Sequence, residues 1–192
     1  AKLKVIQYVG EPSLDERRAA FNISPSPNMP DLATAWNYQG LCLLEGTNLS
    51  EGRGTDKPFK ILGAPWINSA TLLEILTPLL HKNDQIDTVS FIPQSLPGKS
   101  AYPKFEDEVC YGLKIQNLED PIAWTVNLFA VLDSIYLDNF QFLETNFIDK
   151  LYGSNSLRLT VEKGSDLSQI IFDWEVNVDL FRNLSKKYYL YY

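Results

Sequence analysis

The chain has 192 residues, a formal net charge of -7 and a composition that is 45% hydrophobic and 21% charged. That is enough apolar material for one core, and it is not the composition of a disordered chain. The acidic balance argues against a basic nucleic-acid-binding surface, and no apolar run approaches the roughly 18 residues of a membrane-spanning helix.

In chain order, Lys2 to Tyr8 alternates polar and apolar residues as a strand does, and a charged, turn-containing stretch follows through Arg18. No signal-peptide pattern stands at the start, and a chain opening on Ala1 rather than Met fits an excised segment of a soluble protein. Ser24 to Pro30 holds three prolines and must be extended or turn-like, after which Pro30 and Asp31 suit the first turn of a short helix through Trp36. Gly40 to Leu44 reads as a short buried strand, and Phe59 to Leu62 as another. Asn68 to His81 predicts a helix, with Thr71 and Glu74 at capping-box spacing and Leu72, Ile75, Leu76 and Leu79 on its buried face.

Thr88 to Ile92 and Val109 to Gln116 are expected strands, separated by a long surface loop over Pro93 to Glu108. The last third is helical: Pro121 to Tyr136, Asn155 to Lys163 closed by Gly164, and Asp166 to about Leu184. Together these predict an α+β fold, a small mixed sheet packed by several helices with a helix-rich C-terminal third, in a single domain over residues 1–192.

The two cysteines, Cys42 and Cys110, both fall on expected strands and are too far apart in sequence for a CxxC redox site or a zinc knuckle. They are either core thiols or, in an oxidising compartment, one disulfide. The single histidine, His81, sits at a helix end and excludes a His-rich metal site; no metal or cofactor is expected.

Chemistry is concentrated in Leu44 to Thr55, where Gly46, Gly52 and Gly54 interleave with Glu45, Thr47, Asn48, Ser50, Glu51, Arg53 and Thr55. Glycine admits positive φ and close ligand approach, while the polar residues supply donors and acceptors suited to a polyhydroxylated or anionic ligand. Glu45 and Glu51 are candidate catalytic carboxylates, since glycoside hydrolysis works with such pairs; the competing reading is a solvated Glu51 and a Glu45 that caps backbone amides. Arg53, flanked by glycines, is a candidate clamp for a carboxylate or phosphate, or an internal partner of Glu45 or Glu51. Asn48, Ser50 and Thr55 either bind ligand hydroxyls or stabilise turns, and Tyr111 is a candidate stacking platform among aromatics that include Trp36, Tyr38, Trp66 and Tyr102.

Pro25 to Pro30, Leu44 to Thr55, Pro58-Phe59, Gly63 to Trp66, Phe91-Ile92-Pro93, Cys110-Tyr111-Gly112 and Tyr188 to Tyr191 together resemble a bacterial exo-β-N-acetylmuramidase family over essentially the whole chain. Members of that family remove N-acetylmuramic acid from the non-reducing ends of peptidoglycan fragments, with a site in the cleft between a Rossmann-like N-terminal lobe and a C-terminal lobe. The resemblance implies that this chain is the C-terminal, substrate-binding lobe, partnered by an N-terminal lobe that carries the main catalytic glutamate, and inactive alone. It implies a periplasmic or extracellular place in bacterial cell-wall turnover. The alternative is a non-catalytic peptidoglycan- or carbohydrate-binding module. Within the enzyme reading, Arg53 is expected to meet the lactyl carboxylate that distinguishes N-acetylmuramic acid from N-acetylglucosamine, with Asn48 and Ser50 on sugar hydroxyls or the acetamido group.

Overall fold

A computed structural model of the chain describes residues 3–6, 24 and 26–190. Residues 3–6 carry no strand; the rest of the expected opening strand and the charged stretch after it lie outside the described residues. Ser24–Leu167 form one compact unit, and Ser168–Tyr192 fall in a second.

In the larger unit, helix α1 spans Leu32–Leu41. Asp31 is its N-cap, accepting the Thr34 N–H at 2.8 Å, which meets one of the donors that a helix start leaves free. The helix outruns its expected end at Trp36, and Gly40 to Leu44 is not a strand: α1 passes directly into a 3-10 turn over Cys42–Gly46. A five-residue apolar run is too short to reveal its period, and packing decided it. A Cβ at Gly40 would lie 1.9 Å from the Pro121 carbonyl oxygen, so only glycine allows α1 to approach the next long helix this closely.

Strand β1 covers Ile61–Ala64, helix α2 Ser69–Leu76 with a 3-10 turn at Thr77–Leu79, strand β2 Gln85–Phe91 and strand β3 Cys110–Asn117. The sheet order is β1-β3-β2, and both pairings are antiparallel, where a mixed sheet was expected. The cap of α2 is Asn68, whose side chain accepts the Thr71 N–H at 3.1 Å, and not the Thr71–Glu74 pair. Leu72 and Leu76 are fully buried, while Ile75 and Leu79 are exposed, so the core-facing stripe is narrower than the apolar pattern.

Helix α3, Pro121–Ile135, starts at Asp120, whose carboxylate accepts the N–H groups of Ile122 and Ala123 at 3.0 Å each. It buries Trp124, Leu128, Phe129 and Leu132. Helices α4, Phe147–Tyr152, and α5, Ser156–Glu162, complete the unit. Gly164 closes α5 at φ 60°, with its N–H on the Val161 carbonyl and that of Ser165 on Thr160, the paired bonds of a Schellman motif. In the second unit, helix α6 runs Ser168–Ser185 and continues as a 3-10 turn to Tyr188.

The α+β class and the helical last third are as expected, and residues 93–108 form a long loop without helix or strand. Cys110 opens β3 and Cys42 lies in the 3-10 turn rather than on a strand; both are free thiols, so no disulfide joins them. Burial, with Glu108 adding to it, pushes the Cys110 thiol up to about 12.

Candidate functional site

Leu44 to Thr55 wraps across the core as a chain of internally satisfied turns. Leu44 and Leu49 are completely buried and anchor it. Between them the Thr47 hydroxyl donates to the Leu44 carbonyl at 2.9 Å and accepts the Leu49 N–H at 3.1 Å. A Cβ at Gly46 would lie 2.7 Å from Ile148, because α4 rests on this turn. The backbone of Ser50 exchanges two hydrogen bonds with Gly63, at 2.9 and 3.1 Å, which fastens the loop to β1. Gly52 and Gly54 sit at φ 79° and 81°, where a side chain would be strained, and these two reversals turn Arg53 back over the loop.

Three of the expected ligand-binding side chains work inside the fold. Asn48 donates to the Asn139 carbonyl at 2.6 Å and accepts the Gln141 N–H at 3.0 Å, so both ends of its amide hold the segment after α3. The buried Ser50 hydroxyl accepts the Gly52 N–H at 3.3 Å. The Thr55 hydroxyl donates to the Gly52 carbonyl at 2.7 Å and accepts the Lys57 N–H at 3.0 Å. These are the turn-stabilising roles that small polar side chains commonly take. Tyr111 stands half exposed on β3, between Ala64 and Ser90 of the neighbouring strands, and makes none of the bonds of the charged cluster described next.

Glu45, Glu51 and Arg53 do come together, joined by a residue that the sequence did not single out. Arg53 Nη2 meets Glu45 Oε2 at 2.7 Å, and Arg53 Nε faces Glu51 Oε1 at 3.7 Å. Lys104, from the long loop, meets Glu51 Oε2 at 2.9 Å and also donates to the carbonyls of Leu44 and Leu49 at 2.9 and 2.8 Å. Nothing in the local pattern marks Lys104, since its partners lie more than 50 residues away. Phe59, buried and held at φ 55°, lies under the guanidinium with its centroid 5.5 Å from Arg53 Cζ, and Tyr38 packs edge-on against Phe59 at 4.8 Å.

The cluster is neutral as a whole: two carboxylates face two cations. Its members are not equivalent. Burial raises the Glu45 carboxyl above its ordinary range; Arg53 pulls it down and Glu51 pushes it up again, so proton affinity is tuned by the cluster. Tyr38 is raised for the same primary reason, burial, and then by the nearby Glu45 charge. Arg53 keeps about a third of its side chain in solvent, and its Nε is buried without a hydrogen-bond partner among the described residues. Its Nε is closed off toward Glu51, but of the four Nη donors of the guanidinium only one, on Nη2, is used, in the bond to Glu45, which leaves capacity for an acceptor arriving from outside. Among the described residues, no group of three or more His, Cys, Asp or Glu side chains is arranged to hold a metal ion.

Residues 36–191 match the family described as exo-beta-N-acetylmuramidase NamZ, C-terminal, and the chain belongs to that family. It is 31% identical to the peptidoglycan beta-N-acetylmuramidase NamZ of Bacillus subtilis (strain 168), over 98% of this chain and 45% of that protein. The chain therefore spans just under half the length of this curated relative. Two DUF1343 family proteins of Bacteroides fragilis NCTC 9343 have similar crystal structures, each over 88% of this chain. One is 28% identical with a TM-score of 0.65, covering 44% of that chain. The other is 22% identical with a TM-score of 0.75, covering 45%, and speaks for the fold alone.

Proposed function

We propose that this chain is the substrate-binding lobe of an exo-acting glycoside hydrolase that releases N-acetylmuramic acid from the non-reducing ends of peptidoglycan fragments, working outside the cytoplasmic membrane. Family membership supports the peptidoglycan chemistry, and the match to under half of the curated relative supports a second lobe that completes the site. Muramic-acid-containing saccharides and that N-terminal lobe are the partners in this reading.

Arg53 is the observation that carries it. A lactyl carboxylate is the group by which N-acetylmuramic acid differs from N-acetylglucosamine, and a partly exposed guanidinium with unused donors is what recognises it. Phe59 beneath and Glu45 beside hold the guanidinium in place before ligand arrives, which limits the ordering cost of binding. Glu51 is occupied by Lys104 and nearly buried, so it acts as a brace, while Glu45, with its raised carboxyl, is the one of the pair suited to acid/base work. The main catalytic carboxylate is assigned to the other lobe.

The test is release of N-acetylmuramic acid from a chromogenic muramide by the two-lobe parent and by this chain alone. Activity is expected from the parent only. In the parent, Arg53→Ala should cut kcat/KM for the muramide by about 10- to 100-fold, the range for losing a charged hydrogen bond, with little effect on the lactyl-free glucosaminide. Unchanged selectivity would remove Arg53 from this role. A non-catalytic peptidoglycan-binding module is the second reading; ligand binding by this chain together with an inactive parent would favour it.

A further inference from the structure

A cavity of about 510 Å³ opens beside Gly54, the residue after Arg53, and no part of the charged cluster lines it. Ile61, Val89 and Phe91 give it an apolar floor. The strand registers explain this: Val89 lies opposite Gly112, which lies opposite Gly63, so these residues and the alternate positions Ile61 and Phe91 share one face of the sheet. At the two glycines β1 and β3 approach too closely for a side chain: a Cβ at Gly63 would lie 2.4 Å from the Tyr111 carbonyl oxygen and one at Gly112 1.9 Å from that of Leu62, so the sheet contributes Ile61, Val89 and Phe91 alone to the apolar floor. The walls are polar and carry two lysines from different loops, Lys57 and Lys99, and one carboxylate, Asp56. Lys57 has only its exposed neighbour Asp56, at 3.8 Å, and Lys99 has no ion pair among the described residues. On a chain of net charge -7, two ammonium groups against the one carboxylate of Asp56 leave this groove locally positive.

Its size falls within the roughly 300–1,000 Å³ of small-molecule sites. An apolar and aromatic floor suits the C–H face of a pyranose ring, and polar walls suit its hydroxyls. The lysines ask for an anion on the same ligand. In a peptidoglycan glycan chain the lactyl carboxylate recurs on every second sugar. From Arg53 to Lys57 the backbone can extend at most about 14 Å, a separation that one disaccharide unit can bridge. Resting on the function proposed above, we infer that this groove is a leaving-group subsite that holds the next lactyl-bearing sugar, two units in from the non-reducing end, through Lys57 and Lys99. The chain would then favour glycans of four sugars over disaccharides.

The experiment compares N-acetylmuramic acid release by the two-lobe parent from a peptide-free disaccharide and from the corresponding tetrasaccharide. Wild type should show the higher kcat/KM on the tetrasaccharide. The double variant K57A/K99A should lose about fivefold of that advantage, the scale of exposed charge interactions, and keep its disaccharide rate. The Lys→Arg pair at the same positions should retain the advantage, and added salt should erode it in wild type only. Amidating the inner lactyl carboxylate should abolish it. An unchanged ratio in the double variant, or an equal loss on both substrates, overturns the inference while leaving Arg53 untouched. Should the parent release nothing from either glycan, the function proposed above fails. Titration of this chain with the tetrasaccharide then decides the groove by itself: binding weakened in K57A/K99A supports it, and equal binding or none overturns it.

Discussion

Two halves of one charged cluster, Glu51 with Lys104 and Glu45 with Arg53, contain the same chemistry and do different things. The Glu51 side chain is 6% exposed, and Lys104 spends three N–H donors on Glu51 and two backbone carbonyls. Nothing is left for a ligand. At the other half, Glu45 and Arg53 are 17% and 34% exposed, and Arg53 makes one close bond, to Glu45. A saturated pair can serve only as a brace, while an unsaturated one has donors with which to meet a ligand; the distinction lies in how many donors remain unmet, not in the residue types.

The largest expected effect breaks the closed half. Glu51→Ala strands the Lys104 ammonium against two carbonyls and should destabilise the fold by about 2–3 kcal/mol in urea unfolding, less than a fully buried pair would cost because Lys104 remains a quarter exposed. If Arg53→Ala cost as much, the two halves would not differ as described; its stability loss should stay under about 1 kcal/mol. Next comes Asn48→Ala, which frees the Asn139 carbonyl and the Gln141 N–H and should cost about 1–2 kcal/mol. A loss of ligand affinity without a loss of stability would instead make Asn48 a binding residue.

The smallest effect is in pH dependence. Glu45 is raised in the fold, so its stabilising contribution is complete below its ordinary value of 4.5 and is lost as pH rises through the folded value. Glu45→Gln should therefore gain stability relative to wild type as pH rises through that window. Asp31 has the opposite sign: burial pulls its carboxyl up, but bonds from Lys60 and Thr34 outweigh this and leave it lowered. Its contribution is present above 3.8 and lost as pH falls through the folded value, so Asp31→Asn should lose ground to wild type as pH rises. Stability curves of both variants across that range, crossing in the same direction, would refute the assignment.

Elements with strong local signals were legible in the sequence. Pro121 at the start of α3, Gly164 at the close of α5 and the Pro-rich loop over residues 93–108 all declare themselves within a few residues. Gly40 to Leu44 was not legible, because its apolar run fits strand and helix alike and the close approach to Pro121 settled it. The candidate site was half legible. Glu45, Glu51 and Arg53 stand within nine residues of one another, so their meeting could be anticipated, whereas Lys104 reaches them from the loop between β2 and β3, more than 50 residues on.

By itself, the sequence determined the α+β class, the glycine-punctuated polar loop and the resemblance to a muramidase C-terminal lobe, because capping, turn chemistry and motif order are local properties. Only the tertiary structure decided which polar residues of that loop are free. Asn48, Ser50 and Thr55 look as suited to a sugar as Arg53 does when read in line. Hydrogen-bond capacity is finite, however, and the fold draws on it first: backbone groups more than 90 residues away take up Asn48, neighbouring turn amides and carbonyls take up Ser50 and Thr55, and Arg53 makes one close bond, to Glu45.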